Sequence, residues 1–76
     1  MFEKVKDIIV DQLFLTKEEA DQITMETRIM LELRADSLDM VEIVLMIEDE
    51  FDCEISDEDF ERCITVGDFV KLVEEL

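Results

Sequence analysis

The chemistry-bearing positions of this chain are few, and one serine leads them. Asp36 and Asp39 have the spacing of a capping box, so a helix is predicted to start after Asp36 with Ser37 as its first residue. The Ser37 hydroxyl then lies beside the unpaired N–H groups of the first turn. The partial positive charge of a helix end favours an attached phosphate there, and Arg34 adds a nearby cation. A serine at a helix start is ordinary, and this pattern alone does not make it a site. A second candidate is acidic. Glu50, Asp52, Glu54, Ser56, Glu58 and Glu61 fall at positions 1, 3, 5, 7, 9 and 12 of a twelve-residue frame, close to the spacing of an EF-hand calcium loop. Position 6 is Ile55, where the sharp turn needs Gly, and position 1 is Glu rather than Asp. Loose divalent binding to the cluster is therefore expected, and no specific metal site. Cys53 and Cys63 stand ten apart in a chain without His, which gives no credible zinc site. The missing His also removes the commonest general base and the Ser-His and Cys-His nucleophile pairs, so an enzyme is not expected.

Composition narrows the partners. Seventy-six residues fit one domain, 1–76, with a single core. Seven Lys and Arg against 23 Asp and Glu give a net charge of −16. Nucleic acids and anionic bilayers are polyanions, so neither is the expected partner. Hydrophobic residues make up 49% of the chain, enough for a core despite that charge. No apolar run approaches the ~20 residues that span a bilayer. With no signal-like N-terminus, the cysteines read as reduced thiols and the location as cytoplasmic. The acidity is lopsided: residues 1–34 carry five bases against eight acids, and residues 35–76 two bases against fifteen.

The elements that must position Ser37 are helices, and the fold class expected is all-α, a small four-helix bundle. Phe2, Val5, Ile9 and Leu13 recur at helical spacing over residues 2–15. Residues 16–35 read as a long loop in which Thr16 and Glu19 cap a short turn, with Ile23, Ile29, Leu31 and Leu33 pinning it to the core. The strongest helix covers residues 36–51. Ser56 with Asp59 marks a short helix near 57–62. Thr65 with Asp68 marks a last one, whose stripe is Val66, Phe69, Val70, Val73 and Leu76.

The helix at 36–51 has two faces. At about 100° per residue, Met40, Ile43, Val44, Ile47 and Phe51 share one apolar arc, the core face. Leu38, Asp39, Glu42, Leu45, Met46 and Asp49 share an opposite arc that mixes acids with large apolar side chains. Solvation alone does not call for the apolar residues, and burial would not tolerate unpaired acids. A docking surface for a basic, partly apolar patch on another protein accounts for both; isolated surface hydrophobes are the plainer alternative.

The run Leu33-Arg34-Ala35-Asp36-Ser37-Leu38-Asp39, followed by Val41-Glu42, resembles the attachment motif of acyl carrier proteins, whose Asp-Ser-Leu core is Asp36-Ser37-Leu38 here. The likeness extends to the amphipathic first helix, the long loop, the acidic run at 48–52, the Glu-Ile-x-Asp-Glu pattern at 54–58 and the Thr65-Val66 start of the last helix. It implies that a carrier-protein synthase transfers 4′-phosphopantetheine from coenzyme A to Ser37, and that the arm carries acyl groups as thioesters. It also implies a monomer docked by basic patches of fatty acid synthesis enzymes through Asp36, Leu38, Asp39, Glu42, Leu45, Glu48 and Asp49. By the same resemblance, Ile43, Val44, Ile47, Phe51, Ile55 and Cys63 form the acyl pocket. The chain departs from the family pattern at Phe14 and Arg34, where Gly is usual, and at Ser56, where Pro is frequent. Those departures leave a specialised carrier for polyketide or other secondary metabolism as the alternative. An EF-hand-like module or a structural adaptor is more distant.

Overall fold

The computed structural model describes all 76 residues, and every regular element in it is a helix, with one isolated bridge between Arg28 and Thr65. Four helices are expected from the pattern and six are found: α1 Phe2–Leu13, α2 Lys17–Asp21, α3 Ile29–Glu32, α4 Ser37–Phe51, α5 Asp57–Arg62 and α6 Val66–Glu75. The four expected helices are α1, α4, α5 and α6. The additional two interrupt the stretch read as loop, and both are too short for a 3.6-residue period to show. α2 is set by a reciprocal cap: the Glu19 N–H donates to Thr16 Oγ1 (3.2 Å) and the Thr16 N–H to Glu19 Oε1 (2.9 Å). Glu19 is held below the ordinary carboxylate range, first by the Thr16 N–H, then by the Thr16 hydroxyl and the field of Arg34.

α1 packs against α4 and α6. Phe69, Ile9, Ile29, Ile43, Ile47, Val5 and Val66 are the largest fully enclosed side chains, so each long helix and α3 contributes to one core. Ile23 and Ile29 pin the crossover as expected, with Leu33 half-buried. Leu31 does not; it is 66% exposed. The stripe of α6 ends at Val73, and Leu76 lies in solvent. The crossover is fastened to the start of α6 by backbone. The Ile29 N–H donates to the Ile64 carbonyl (3.0 Å), the Val66 N–H to Thr27 (3.0 Å) and the Gly67 N–H to Met25 (2.8 Å). Buried Thr27 is satisfied by the Thr24 N–H, which donates to its Oγ1 at 2.8 Å.

At the start of α6 the Thr65 N–H and Ile64 N–H both donate to Asp68 Oδ2 (2.9 Å each), and the Asp68 N–H returns a bond to Thr65 Oγ1 (3.1 Å). Burial pushes the Asp68 carboxyl up, but the Thr65 and Ile64 N–H groups outweigh it and hold the group below the usual range. A depressed carboxylate stabilises the fold fully above its unfolded value of about 4, and that gain is lost as pH falls through the folded value. Asp68→Ala is expected to cost about 1 kcal/mol at neutral pH. The deficit against wild type should shrink below about pH 4 in thermal melts. A deficit unchanged with pH contradicts the charged cap.

Three non-glycine residues have positive φ: Phe14 (54°), Arg34 (62°) and Asp52 (51°). Phe14 ends α1 with its N–H on the Val10 carbonyl, and Asp52 ends α4 with its N–H on Glu48. Aspartate tolerates this region, but phenylalanine and arginine do not. The two positions where the resembled family usually has Gly are thus left-handed here. Phe14 is 90% exposed and gives up no packing when removed. Phe14→Gly and Arg34→Gly are each expected to stabilise by about 0.5–1 kcal/mol, read in urea unfolding. A loss of stability in both would refute the strain.

Only two ion pairs form, Lys4 with Glu50 (3.7 Å) and Arg28 with Glu32 (3.3 Å), both well exposed. The remaining acids repel one another. Raising NaCl from about 0.01 to 0.5 M shortens the screening length severalfold and should raise the melting temperature by about 5 °C or more. A fall would show that specific pairs outweigh the net charge.

Candidate functional site

Ser37 is the first helical residue of α4, as the capping spacing requires. The Asp39 N–H donates to Asp36 Oδ1 (2.8 Å) and the Asp36 N–H to Asp39 Oδ2 (3.2 Å). The cap is therefore complete without Ser37, whose exposed hydroxyl has no hydrogen-bond partner within the chain. It sits on a groove of about 410 Å³. Met30 and Leu31 of α3 form one wall, Met40 and Val41 of α4 another. Phe60 of α5 and Cys63 and Ile64 of the α5–α6 connection close it. Arg28 and Glu61 are its charged rim. Arg34 is not part of it; the Arg34 field falls on Glu19 instead. Arg28 is the cation that shares the groove with Ser37, a residue that sequence spacing did not single out.

A second groove, about 250 Å³, continues along α4 between Val44, Leu45 and Glu48 on one side and Ile55, Asp57 and Phe60 on the other. Of the six residues expected to line an acyl pocket, Cys63 lines the first groove and Val44 and Ile55 the second. Ile43 and Ile47 line neither, being 0% exposed inside the core, and half-buried Phe51 lines neither. The apolar face of a helix is broader than any cavity along it, and its centre is taken by packing against α1. Met40 and Val41, one turn from Ser37, take those places.

The Cys63 thiol is pushed up to about 11, first by burial and then by the carboxylates of Asp68 and Asp59. It is protonated at neutral pH and a poor nucleophile. Cys53 is raised as well, by burial first and then by Glu48 and Asp52. Both cysteines are free.

The outer arc of α4 is a surface. Leu38 is 68% and Leu45 55% exposed, with exposed Glu42 between them and exposed Asp49 one turn further on. Met46, grouped with that arc by angle, is half-buried and packs on the core instead. The acids differ in occupation. Asp36 and Asp39 cap the helix, and Glu48 Oε2 accepts the Ile55 N–H at 2.8 Å, fastening the α4–α5 connection. The twelve-residue acidic frame does not fold as an ion-binding loop. Its last positions lie on α5, Ile55 is half-buried, and no three acidic or thiol groups converge. No helix is long and apolar enough to cross a membrane.

Comparison with known proteins agrees with this architecture. Residues 3–73 match the family model described as "Phosphopantetheine attachment site". The structure of "a putative acyl carrier protein" (Rv0033) from Mycobacterium tuberculosis superposes with a TM-score of 0.87 at 30% identity, over 97% of this chain and 95% of that one. The acyl carrier protein of Enterococcus faecalis superposes with a TM-score of 0.79 at 42% identity, over 97% of this chain and 90% of that one. A match spanning nearly the whole sequence, on a fold whose exposed serine opens an apolar groove, is decisive for the family. This chain belongs to the acyl carrier proteins of the phosphopantetheine-attachment family, carriers that take 4′-phosphopantetheine covalently and are not themselves enzymes.

Proposed function

We propose that Ser37 Oγ is the attachment point, and that the chain delivers acyl groups to the enzymes of fatty acid synthesis in the cytoplasm. The observation that carries this reading is the exposed Ser37 hydroxyl, free of any capping duty, on the rim of an apolar groove. The residues fit the group. A phosphodiester on Ser37 would lie at the N-terminal end of a fifteen-residue helix, where backbone N–H groups and the helix dipole favour negative charge. The bound arm supplies a thiol that holds the acyl group as a thioester.

The chain's own residues then bind and shield. Met30, Met40, Val41 and Phe60 offer an apolar wall to a hydrocarbon, worth about 0.8 kcal/mol for each methylene removed from water. The protonated Cys63 lines that wall without competing for the acyl group, because thiolate and not thiol attacks a thioester. Outside the groove, Glu42 and Asp49 with Leu38 and Leu45 present the charge and apolar area that a basic enzyme patch would meet. Asp36, Asp39 and Glu48 contribute charge to the same face. Attraction of that kind gives fast, salt-sensitive association, which suits a carrier visiting many enzymes.

The test is the intact mass of the protein recovered from its own cell. A gain of about 340 Da localised to the Ser37 peptide, with straight-chain saturated acyl groups on part of the population, is the expected result. Modification at another residue overturns the site. A polyketide or other non-fatty cargo overturns the pathway and leaves the site standing.

A further inference from the structure

Two side chains belong to both grooves. Val41 of α4 and Phe60 of α5 line the compartment that opens at Ser37 and also the one bounded by Val44 and Ile55. No other residue is shared, so the pair stands where one compartment ends and the next begins. Phe60 packs on the core from its edge and is half-buried, while α5, which holds it, contains no buried residue. Val41 is 46% exposed. The barrier is therefore made of two apolar groups at the surface of the bundle, and it is not part of its centre.

We infer that Val41 and Phe60 form a partition that sets how long an acyl chain this protein encloses. The inference rests on attachment at Ser37. Met40 and Cys63 line the first compartment and not the second, whereas the Phe60 ring lines both, so a chain entering from that end has Phe60 between it and the second compartment. Each methylene taken out of water favours the folded form about fourfold, so enclosure is read directly as stability. The gain rises with chain length while the first compartment, about 410 Å³, still has room. It stops at the ring, because the further 250 Å³ lies behind it. Short and medium straight chains are thus enclosed whole, and the far end of a longer chain stays in solvent. Truncating the ring joins the compartments into one channel reaching Val44 and Ile55.

The test loads wild type, Phe60→Ala and Val41→Ala from a series of straight-chain saturated acyl-coenzyme A thioesters with a carrier-protein synthase. Unfolding midpoints are then measured in urea against chain length. The wild-type midpoint is expected to climb and then level off. Both variants should start lower and level off about two to four methylenes later. Val41→Ala opens the barrier from the half-exposed α4 side, so it keeps the comparison open where Phe60→Ala weakens α5 too far to fold. A wild-type series that climbs without a break overturns the partition, as does levelling at the same length in all three proteins. Loading is read separately as mass on Ser37. Its failure overturns the attachment site and the partition together, whereas loading with coincident plateaus overturns the partition alone.

Discussion

Ser37→Ala should abolish loading and leave the fold unchanged. The two halves of that expectation come from different observations. Loading fails because the oxygen that would form the phosphodiester is gone. The fold survives because the Ser37 side chain makes no hydrogen bond within the chain, and the N-terminal cap of α4 is closed by Asp36 and Asp39 alone. Alanine is also the better helix former, so the change in stability should stay within about 0.5 kcal/mol. Asp36→Ala makes the contrasting control. It removes the acceptor for the Asp39 N–H and should cost about 1 kcal/mol. Intact mass after incubation with a carrier-protein synthase and coenzyme A reads the first effect, and thermal melts read the second. A loaded Ser37→Ala protein would move the attachment elsewhere.

Gly67→Ala should be the most destabilising small substitution in the chain. Gly67 is the only glycine, and its backbone is ordinary helix with no positive φ, so its need is for space. A Cβ there would lie 2.8 Å from the Met25 carbonyl oxygen and 3.3 Å from Met25 Cβ. The obstacle is backbone, which cannot swing aside as a side-chain tip can. The crossover near Met25 must move, and it is joined to Ile64, Val66 and Gly67 by the three backbone bonds described above. Alanine gains up to about 1 kcal/mol from helix propensity. Against that stand two or three bonds worth about 1 kcal/mol each and the overpacking itself. The net loss expected is about 2 kcal/mol, or roughly 10 °C in melting temperature for a domain of this size. A melting temperature at or above wild type would show that the crossover yields without cost.

What the sequence made legible is local. The starts of α4, α5 and α6 follow from pairs of residues three apart, and each pair does bond in the structure, though Ser56 with Asp59 only one way. The left-handed turns at Phe14 and Arg34 are not advertised by the residues themselves as glycine would advertise them; the only hint is that Gly is usual at both places in the resembled family. α3 is a single turn and leaves no periodic trace. The groove is harder still. Its walls come from residues near 30, 40 and 60, brought together by burial of Ile29 and Val66 and by backbone bonds across the chain. Periodicity separates the inner face of α4 from the outer one. It does not say that Ile43 and Ile47 are spent on packing while Met40 and Val41 border open space.

The bond from the Ile55 N–H to Glu48 also decides how the acidic face of α4 can be dissected. Its carboxylates are of two kinds, those employed by the protein's own backbone and those that are idle. An alanine scan that treats them alike would score lost helix starts at Asp36 and Asp39, and a loosened connection at Glu48, as lost recognition. If the proposed docking holds, Glu42 and Asp49 are the cleaner reporters, since reversing their charge breaks no hydrogen bond or ion pair within the chain.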